Sequence, residues 1–243
     1  MTMKPFVSVV IPAYNEEKRV GDTLRKIVAY ARTKPFALEI IVSDDGSLDG
    51  TVDAAKSVLS SSVLPYQVLR APMNQGKGAA VRRGMLAATG EYCLFSDADL
   101  STPIEELDRF LPLLIEKKAD VVIGSRALQG ANIVEHQPWF RELMGRVFNK
   151  VATVFAFRGI KDSQCGFKCF TAEAALKLFM LQKLDGFSFD VELLFLAQKL
   201  GFRIQEMPVT WINSAATKVN VLSDPIKMFW DVLRIRAIHQ KPN

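Results

Sequence analysis

Histidine and cysteine are scarce in this chain. Its 243 residues hold two histidines, His136 and His239, and three cysteines, Cys93, Cys165 and Cys169. A structural zinc site draws its ligands from closely spaced Cys and His, so this composition argues against one. Three cysteines cannot all pair, and reduced thiols in a cytosolic setting are expected. No stretch reaches ~18 consecutive apolar residues, so no membrane-spanning helix is expected. Met1 to Phe6 carries no secretory leader pattern. Internal repeats and low-complexity linkers are missing too. The net charge of +5 is too small and too scattered to imply a nucleic-acid partner. It suits anionic small ligands or a lipid surface.

Apolar residues make up 49% of the chain, enough for a sizeable core. Phe6 to Ile11 is a continuous apolar run, the pattern of a central parallel strand, and Pro12 is expected to end it. A helix follows from about Glu17 to Arg32, with Val20, Leu24, Ile27 and Val28 on one face. Leu38 to Val42 reads as a second strand. The next helix starts near Asp49, with Asp49 or Thr51 as its cap. Tyr66 to Leu69 is a third strand, and a helix runs from the Asn74–Gly78 turn through Ala88. Strand and helix alternate, which is the signature of a parallel α/β sheet.

The fourth strand, Tyr92 to Phe95, delivers Asp97 and Asp99. Ligands of open α/β sheets sit beyond the carboxyl ends of strands. Two carboxylates there suit Mg²⁺ or Mn²⁺, which favour oxygen ligands shared with substrate phosphates. The plainer reading is a turn with two solvated acids. Gly76, Lys77 and Gly78 open a helix, where backbone N–H groups and the lysine would meet an anion, although a P-loop spacing is absent. An ordinary loop is the other reading. Ser101 or Thr102 is expected to cap the next helix, with Pro103 at its first position and an end near Lys117. Asp120 to Gly124 is a fifth strand leading to Arg126, whose fork could clamp a phosphate or form a surface ion pair.

Residues 128–138 read as a polar loop. Trp139 to Phe157 reads as a helix mixing large apolar residues with Arg141, Arg146 and Lys150. Asp162 to Lys168 is a polar turn entering a short strand, with helices near Thr171–Phe179 and Ser188–Leu200. Glu206 to Trp211 is a late strand, at an edge because of Pro208. Residues 212–223 read as a loop. The span 224–243 is set apart from 1–223 as a C-terminal amphipathic helix and tail. In it Ile226, Phe229, Trp230, Leu233 and Ile238 alternate with Lys227, Arg234 and Arg236. Such a helix lies on a membrane surface or docks on the domain or a second subunit.

Four motifs of the first half occur in order: Val9–Glu16, Val42–Ser47, Asn74–Gly78 and Asp97-Ala98-Asp99. They resemble family 2 glycosyltransferases of the GT-A fold. In the second half Gly124–Arg126, Lys161–Lys168, Phe189–Leu194 and Pro208–Trp211 resemble the dolichyl-phosphate β-glucosyltransferase branch, with dolichyl-phosphate mannose synthases next. The resemblance implies a single α/β domain with a Rossmann-like, mostly parallel twisted sheet flanked by helices. It implies inverting transfer of a hexose, glucose favoured, from a nucleotide-sugar, UDP favoured, to a polyprenyl or dolichyl phosphate. Carried over residue by residue, Pro12, Ala13, Tyr14, Glu16, Asp44 and Asp45 face the nucleoside. Gly76, Lys77, Ala98 and Lys218 complete the donor side, and Asp97 and Asp99 hold Mg²⁺ or Mn²⁺. Arg126, Arg141 and Gln164 face the acceptor, and Asp162 and Asp190 join the acids as catalytic candidates. A peripheral site on the cytoplasmic face of a membrane is implied, and a homodimer stays open.

GDP-mannose as donor, or a glycan or protein acceptor, is the alternative within the family. A sugar-nucleotidyltransferase would want a Gly-rich, Arg-containing loop after the first strand, where this chain has Pro12-Ala13-Tyr14-Asn15-Glu16. A nucleotide-sugar-binding protein without activity is the non-enzyme reading, and the intact acid pair speaks against it.

Overall fold

The computed structural model describes residues 4–135, 139–213 and 224–240. The chain runs β1 (Val7–Ala13), α1 (Glu17–Arg32), β2 (Leu38–Asp44), α2 (Thr51–Ser60), β3 (Tyr66–Arg70), α3 (Lys77–Ala87) and β4 (Tyr92–Ser96). There follow α4 (Leu107–Ile115), β5 (Val121–Ser125), β6 (Asn132–Ile133), α5 (Trp139–Phe155), β7 (Phe167–Thr171) and α6 (Ala172–Leu181). The last elements are α7 (Phe189–Lys199), β8 (Ile204–Pro208), β9 (Thr210–Trp211) and α8 (Asp224–Ile238).

Seven strands form one sheet in the order β3-β2-β1-β4-β7-β5-β8. All neighbours are parallel except β7, which runs antiparallel between β4 and β5. The sheet is buried on both faces, which is why β1, β2 and β4 read as unbroken apolar runs. Val7, Val9 and Ile11 join one core with α1 and α4, while Val10 joins the other with α3, α6 and α7. That split follows from the two-residue period of a strand. In the second core Phe95 lies 6.3 Å from Phe170 and 5.7 Å from Phe189 between ring centres. Each such buried ring stabilises the fold by about 2 kcal/mol.

Several boundaries differ from the sequence expectation. Pro12 does not end β1, which continues to Ala13 and pairs Pro12 with Ser43. The ladder from β1 to β4 stops at Val10, so the donor that proline lacks is not needed on that side. Neither Ser101 nor Thr102 caps a helix; Pro103 occupies the cap position of a 3₁₀ turn, Ile104–Glu106, that leads into α4. For α2 the cap position is Gly50, while the Asp49 carboxylate accepts the Thr51 N–H at 3.0 Å. Glu206–Trp211 is not one strand. It splits at Val209, and β9 leaves the main sheet to pair with β6, inside what reads as a polar loop.

The strand order reverses direction between β1 and β4. That switch point opens a crevice at the carboxyl ends of both strands, where the open sheets of this class bind ligands. The helix α8 packs on the domain through Val232 and Ile235, which belong to the second core. The sequence pattern pointed to other apolar residues of this helix, and two of them, Phe229 and Trp230, stay exposed.

Candidate active site

Three loops converge at the switch point. The one after β1 is stitched to the one after β2: the Asn15 N–H donates to Ser47 Oγ at 2.9 Å, the Leu48 N–H to Asn15 Oδ1 at 2.9 Å, and the Glu16 N–H to Thr51 Oγ1 at 2.7 Å. Asn15 takes a left-handed backbone to do this, as its short amide side chain allows. Pro12 and Ala13 are buried in the strand, Tyr14 is half-buried, and Glu16 is buried with Arg19 at 2.6 Å. Asp44 ends β2 with no exposed surface. Its Oδ2 accepts the Ser47 N–H at 3.1 Å, and its Oδ1 has no hydrogen-bond partner among the described residues. A buried carboxylate oxygen in that state is a ready acceptor for a ligand N–H. Asp45 has a different task. Its Oδ2 accepts the N–H groups of Gln75 and Gly76, at 3.1 and 2.7 Å, and so holds the third loop.

That third loop presents Gly76 and Lys77 at the start of α3. Gly76 has a φ of 112°, and an added Cβ would run into the Asp185 carbonyl, so only glycine fits. The Lys77 Nζ reaches Asp97 Oδ1 at 2.6 Å. Burial works against its charge, but Asp97 and then Asp190 outweigh this and hold the ammonium above its ordinary value. Asp97 and Asp99 are each half-buried, on either side of the buried Ala98. Neither is part of the apolar core, and Asp97 keeps a third of its side chain exposed while its carboxylate packs against Gly166. Asp99 Oδ1 accepts the Ser101 N–H at 3.0 Å, and the Asp97 N–H donates to the Gly166 carbonyl at 3.1 Å. The sequence reading thus brought Tyr14, Asp44, Lys77, Asp97 and Asp99 to neighbouring loops of one crevice.

On the far side of β4, Arg126 and Asp162 form a forked ion pair, with Nε at 2.7 Å and Nη2 at 2.9 Å from the carboxylate. The Arg126 backbone N–H adds a third bond at 2.9 Å, and its guanidinium lies 5.5 Å from the Trp211 ring. Burial alone would raise Asp162, but Arg126 outweighs it and holds the carboxyl down to about 2. The folded value lies below the ordinary one, so this stabilisation is present at neutral pH and is lost as pH falls from about 3.8 toward 2. A carboxylate held so low is a poor proton acceptor near pH 7. Gln164 is half-buried, and its Nε2 has no hydrogen-bond partner among the described residues. Asn149 of α5 binds the carbonyls of Ile160 and Lys161 and accepts the Ser163 N–H, fastening that helix to the same turn. Arg141 lies on α5, and its side chain is outside the described residues, as is Lys218 altogether.

Asp190 is buried, with Oδ1 at 2.5 Å from the wholly buried Lys168. Burial pushes its carboxyl upward, against the pull of Lys168 and Lys77. All three cysteines are free and buried. Burial, with Asp162 adding to it, raises the Cys165 thiol to about 11, which makes it inert as a nucleophile.

The acid pair fits a hard divalent cation. Both acids are partly exposed, and the Asp97 oxygen already accommodates a positive charge from Lys77. Among the described residues no group of three or more His, Cys, Asp and Glu assembles a closed metal cage. Two carboxylates with room for phosphate and water oxygens is the Mg²⁺ or Mn²⁺ pattern rather than the zinc one.

Fold and crevice together define a GT-A protein. The glucosyl-3-phosphoglycerate synthase of Mycobacterium tuberculosis, crystallised with Mn²⁺, UDP-glucose and phosphoglyceric acid, superposes with a TM-score of 0.68 at 21% identity, covering 98% of this chain and 81% of that one. Residues 1–349 of S. aureus TarS, crystallised with UDP-GlcNAc, give 0.63 at 19% identity, covering 97% and 66%. The Glycosyl transferase family 2 model matches residues 8–179, and the chain belongs to that family. Among its relatives is the dolichyl-phosphate beta-glucosyltransferase of Dictyostelium discoideum, 36% identical over 244 residues, or 95% of this chain and 74% of that one. The Homo sapiens protein of the same name is 34% identical over 241 residues, again covering 95% and 74%.

Two groups at the site escaped the sequence reading. Lys168 reads as part of a polar turn, and only the insertion of β7 between two strands buries it. The loop Gln182–Asp185 underlies the glycine turn: Gln182 Nε2 donates to the Gly78 carbonyl at 3.0 Å, and the Ala79 N–H to the Asp185 carbonyl at 3.2 Å. No local signal marks either contact.

Proposed function

We propose that this chain transfers glucose from UDP-glucose to a polyprenyl phosphate of the dolichyl type, with inversion at the anomeric carbon. The observation that carries the reading is the pair of partly exposed acids, Asp97 and Asp99, that follows β4 at the switch point, with Lys77 on Asp97. The acceptor and the sugar are supported by the names of the curated relatives, and the uridine donor by the ligands of the structural neighbours.

Each group then has a physical task. The buried Asp44 Oδ1 accepts a ligand N–H, as a pyrimidine base offers. The stitched loops at Pro12–Glu16 and Asp44–Thr51 form the nucleoside wall. Asp97 and Asp99 would hold Mg²⁺ or Mn²⁺, which would supply Lewis-acid stabilisation of the departing diphosphate. Lys77 stands beside the same charge and adds a second cation to it. The acceptor is a phosphate monoester with a second pKa near ~6, so it is already an anion at pH 7 and needs no strong base. Asp162 accordingly serves to aim Arg126, which faces the acceptor phosphate with Gln164, and Arg141 and Lys218 complete the acceptor and diphosphate sides.

Attachment to the cytoplasmic face of a membrane is part of the same reading. Among the described residues no helix is long and apolar enough to cross a bilayer. The packed helices α5 and α8 present Phe155, Phe229 and Trp230 to the outside beside the exposed Lys150, Lys227 and Arg236. Apolar rings among basic residues suit a headgroup layer.

The test is product analysis with UDP-[14C]glucose, Mn²⁺ and a short polyprenyl phosphate. Label is expected in the organic phase as a β-linked glucosyl phosphate lipid. Label found only as free glucose, or passed instead to a glycan or protein acceptor, overturns the proposal.

A further inference from the structure

Lys168 sits in the middle of β7, opposite Phe95 and Ile123, and has no exposed surface. An ammonium in such a place is costly unless it is fully paired, and packing alone would be served by an apolar side chain. Its Nζ makes two short bonds, to the Cys165 carbonyl at 2.6 Å and to Asp190 Oδ1 at 2.5 Å. Each leads to Asp97 by a separate route. Cys165 precedes Gly166, whose carbonyl takes the Asp97 N–H and whose Cα faces the Asp97 carboxylate so closely that no side chain fits. Asp190 follows Phe189, whose ring lies 6.0 Å from the Lys77 ammonium, and adds to the field around that ammonium, while Lys77 holds Asp97 Oδ1.

We infer that Lys168 is a positioning residue for the donor site: one buried ammonium fixes both the turn behind Asp97 and the carboxylate that steadies Lys77. Being wholly buried, it does this without touching substrate. The inference rests on the proposed donor site. It assigns Lys168 no part in binding the acceptor.

Lys168→Met alone leaves a buried carboxylate without its partner and is expected to fold poorly. The charge-neutral double variant Lys168→Met/Asp190→Asn avoids this. Its melting temperature is expected within ~5 °C of wild type. Its kcat/KM for UDP-glucose with Mn²⁺ is expected to fall at least ~30-fold, with the KM for polyprenyl phosphate unchanged within about twofold. Asp190→Asn alone strands the buried Lys168 ammonium and is expected to fold poorly as well, so only the double variant reports on function. Wild-type donor kinetics in the double variant overturn the inference. So does a loss shared evenly between donor and acceptor, or a double variant that does not fold. Failure of the donor-site reading itself looks different: wild-type protein would then not bind UDP-glucose in the presence of Mn²⁺.

Discussion

Asp99→Asn is expected to lower glucosyl transfer at least ~1,000-fold, about 4 kcal/mol of lost transition-state stabilisation. The melting temperature is expected to move by less than ~3 °C. The asparagine keeps the oxygen that accepts the Ser101 N–H, so the turn after β4 survives. Asp99 is only half-buried and lies outside the core, so little packing is lost. The charge is what disappears, and with it half of the carboxylate pair proposed to hold a divalent cation. Steady-state kinetics at saturating UDP-glucose and Mn²⁺, beside a thermal melt, decide the matter. Near-wild-type turnover with an unchanged melt removes Asp99 from the machinery.

Gly166→Ala is the second substitution with a large expected effect, although it adds a single carbon. A Cβ there would overlap every atom of the Asp97 carboxylate group. The backbone cannot easily yield, because Ser96 pairs with Phe167 and the Asp97 N–H is bonded to the Gly166 carbonyl. The Asp97 side chain must therefore rotate away, losing Lys77 and its place beside Asp99. A fall in kcat/KM for UDP-glucose of ~100-fold is expected, in line with the effect of a misplacement near 1 Å on catalysis. Gly21→Ala on α1, where the new carbon would meet Arg25 at an ordinary 3.5 Å, serves as the control and is expected to remain within about twofold. Equal kinetics for the two variants contradict the role given to the 165–167 turn.

The sequence spoke most clearly where chemistry lies next to its strand. Asp44 closes β2, and Asp97 follows β4 directly, so apolar runs ending in acids located the crevice. Lys77 was readable because glycines mark the loop that opens α3. The less legible parts depend on contacts between distant segments. Pro12 seemed to end β1, and the reason it does not is that β4 stops pairing at Val10. Lys168 reads as the end of a polar turn until β7 is placed between β4 and β5. Glu192 and His239 are 47 residues apart in the chain, yet they meet at 2.6 Å in the interior and fasten the end of α8 to α7. The docking of α8 through Val232 and Ile235 was equally hidden, because its exposed rings dominate the pattern.

The role of Arg126 changed in kind. A fork at a strand end is equally a phosphate clamp or an ion pair, and the structure engages two of its nitrogens with Asp162. Both features fit one site when the carboxylate fixes the plane of the guanidinium, with the Trp211 ring 5.5 Å away.

The most direct measurement is calorimetric titration of UDP-glucose into the wild-type protein, with Mn²⁺ and again with the metal chelated. With Asp97 and Asp99 as the residues that would hold the cation, binding is expected to weaken at least ~10-fold, about 1.4 kcal/mol, on chelation. Equally tight binding without metal, or GDP-mannose binding where UDP-glucose does not, would contradict it.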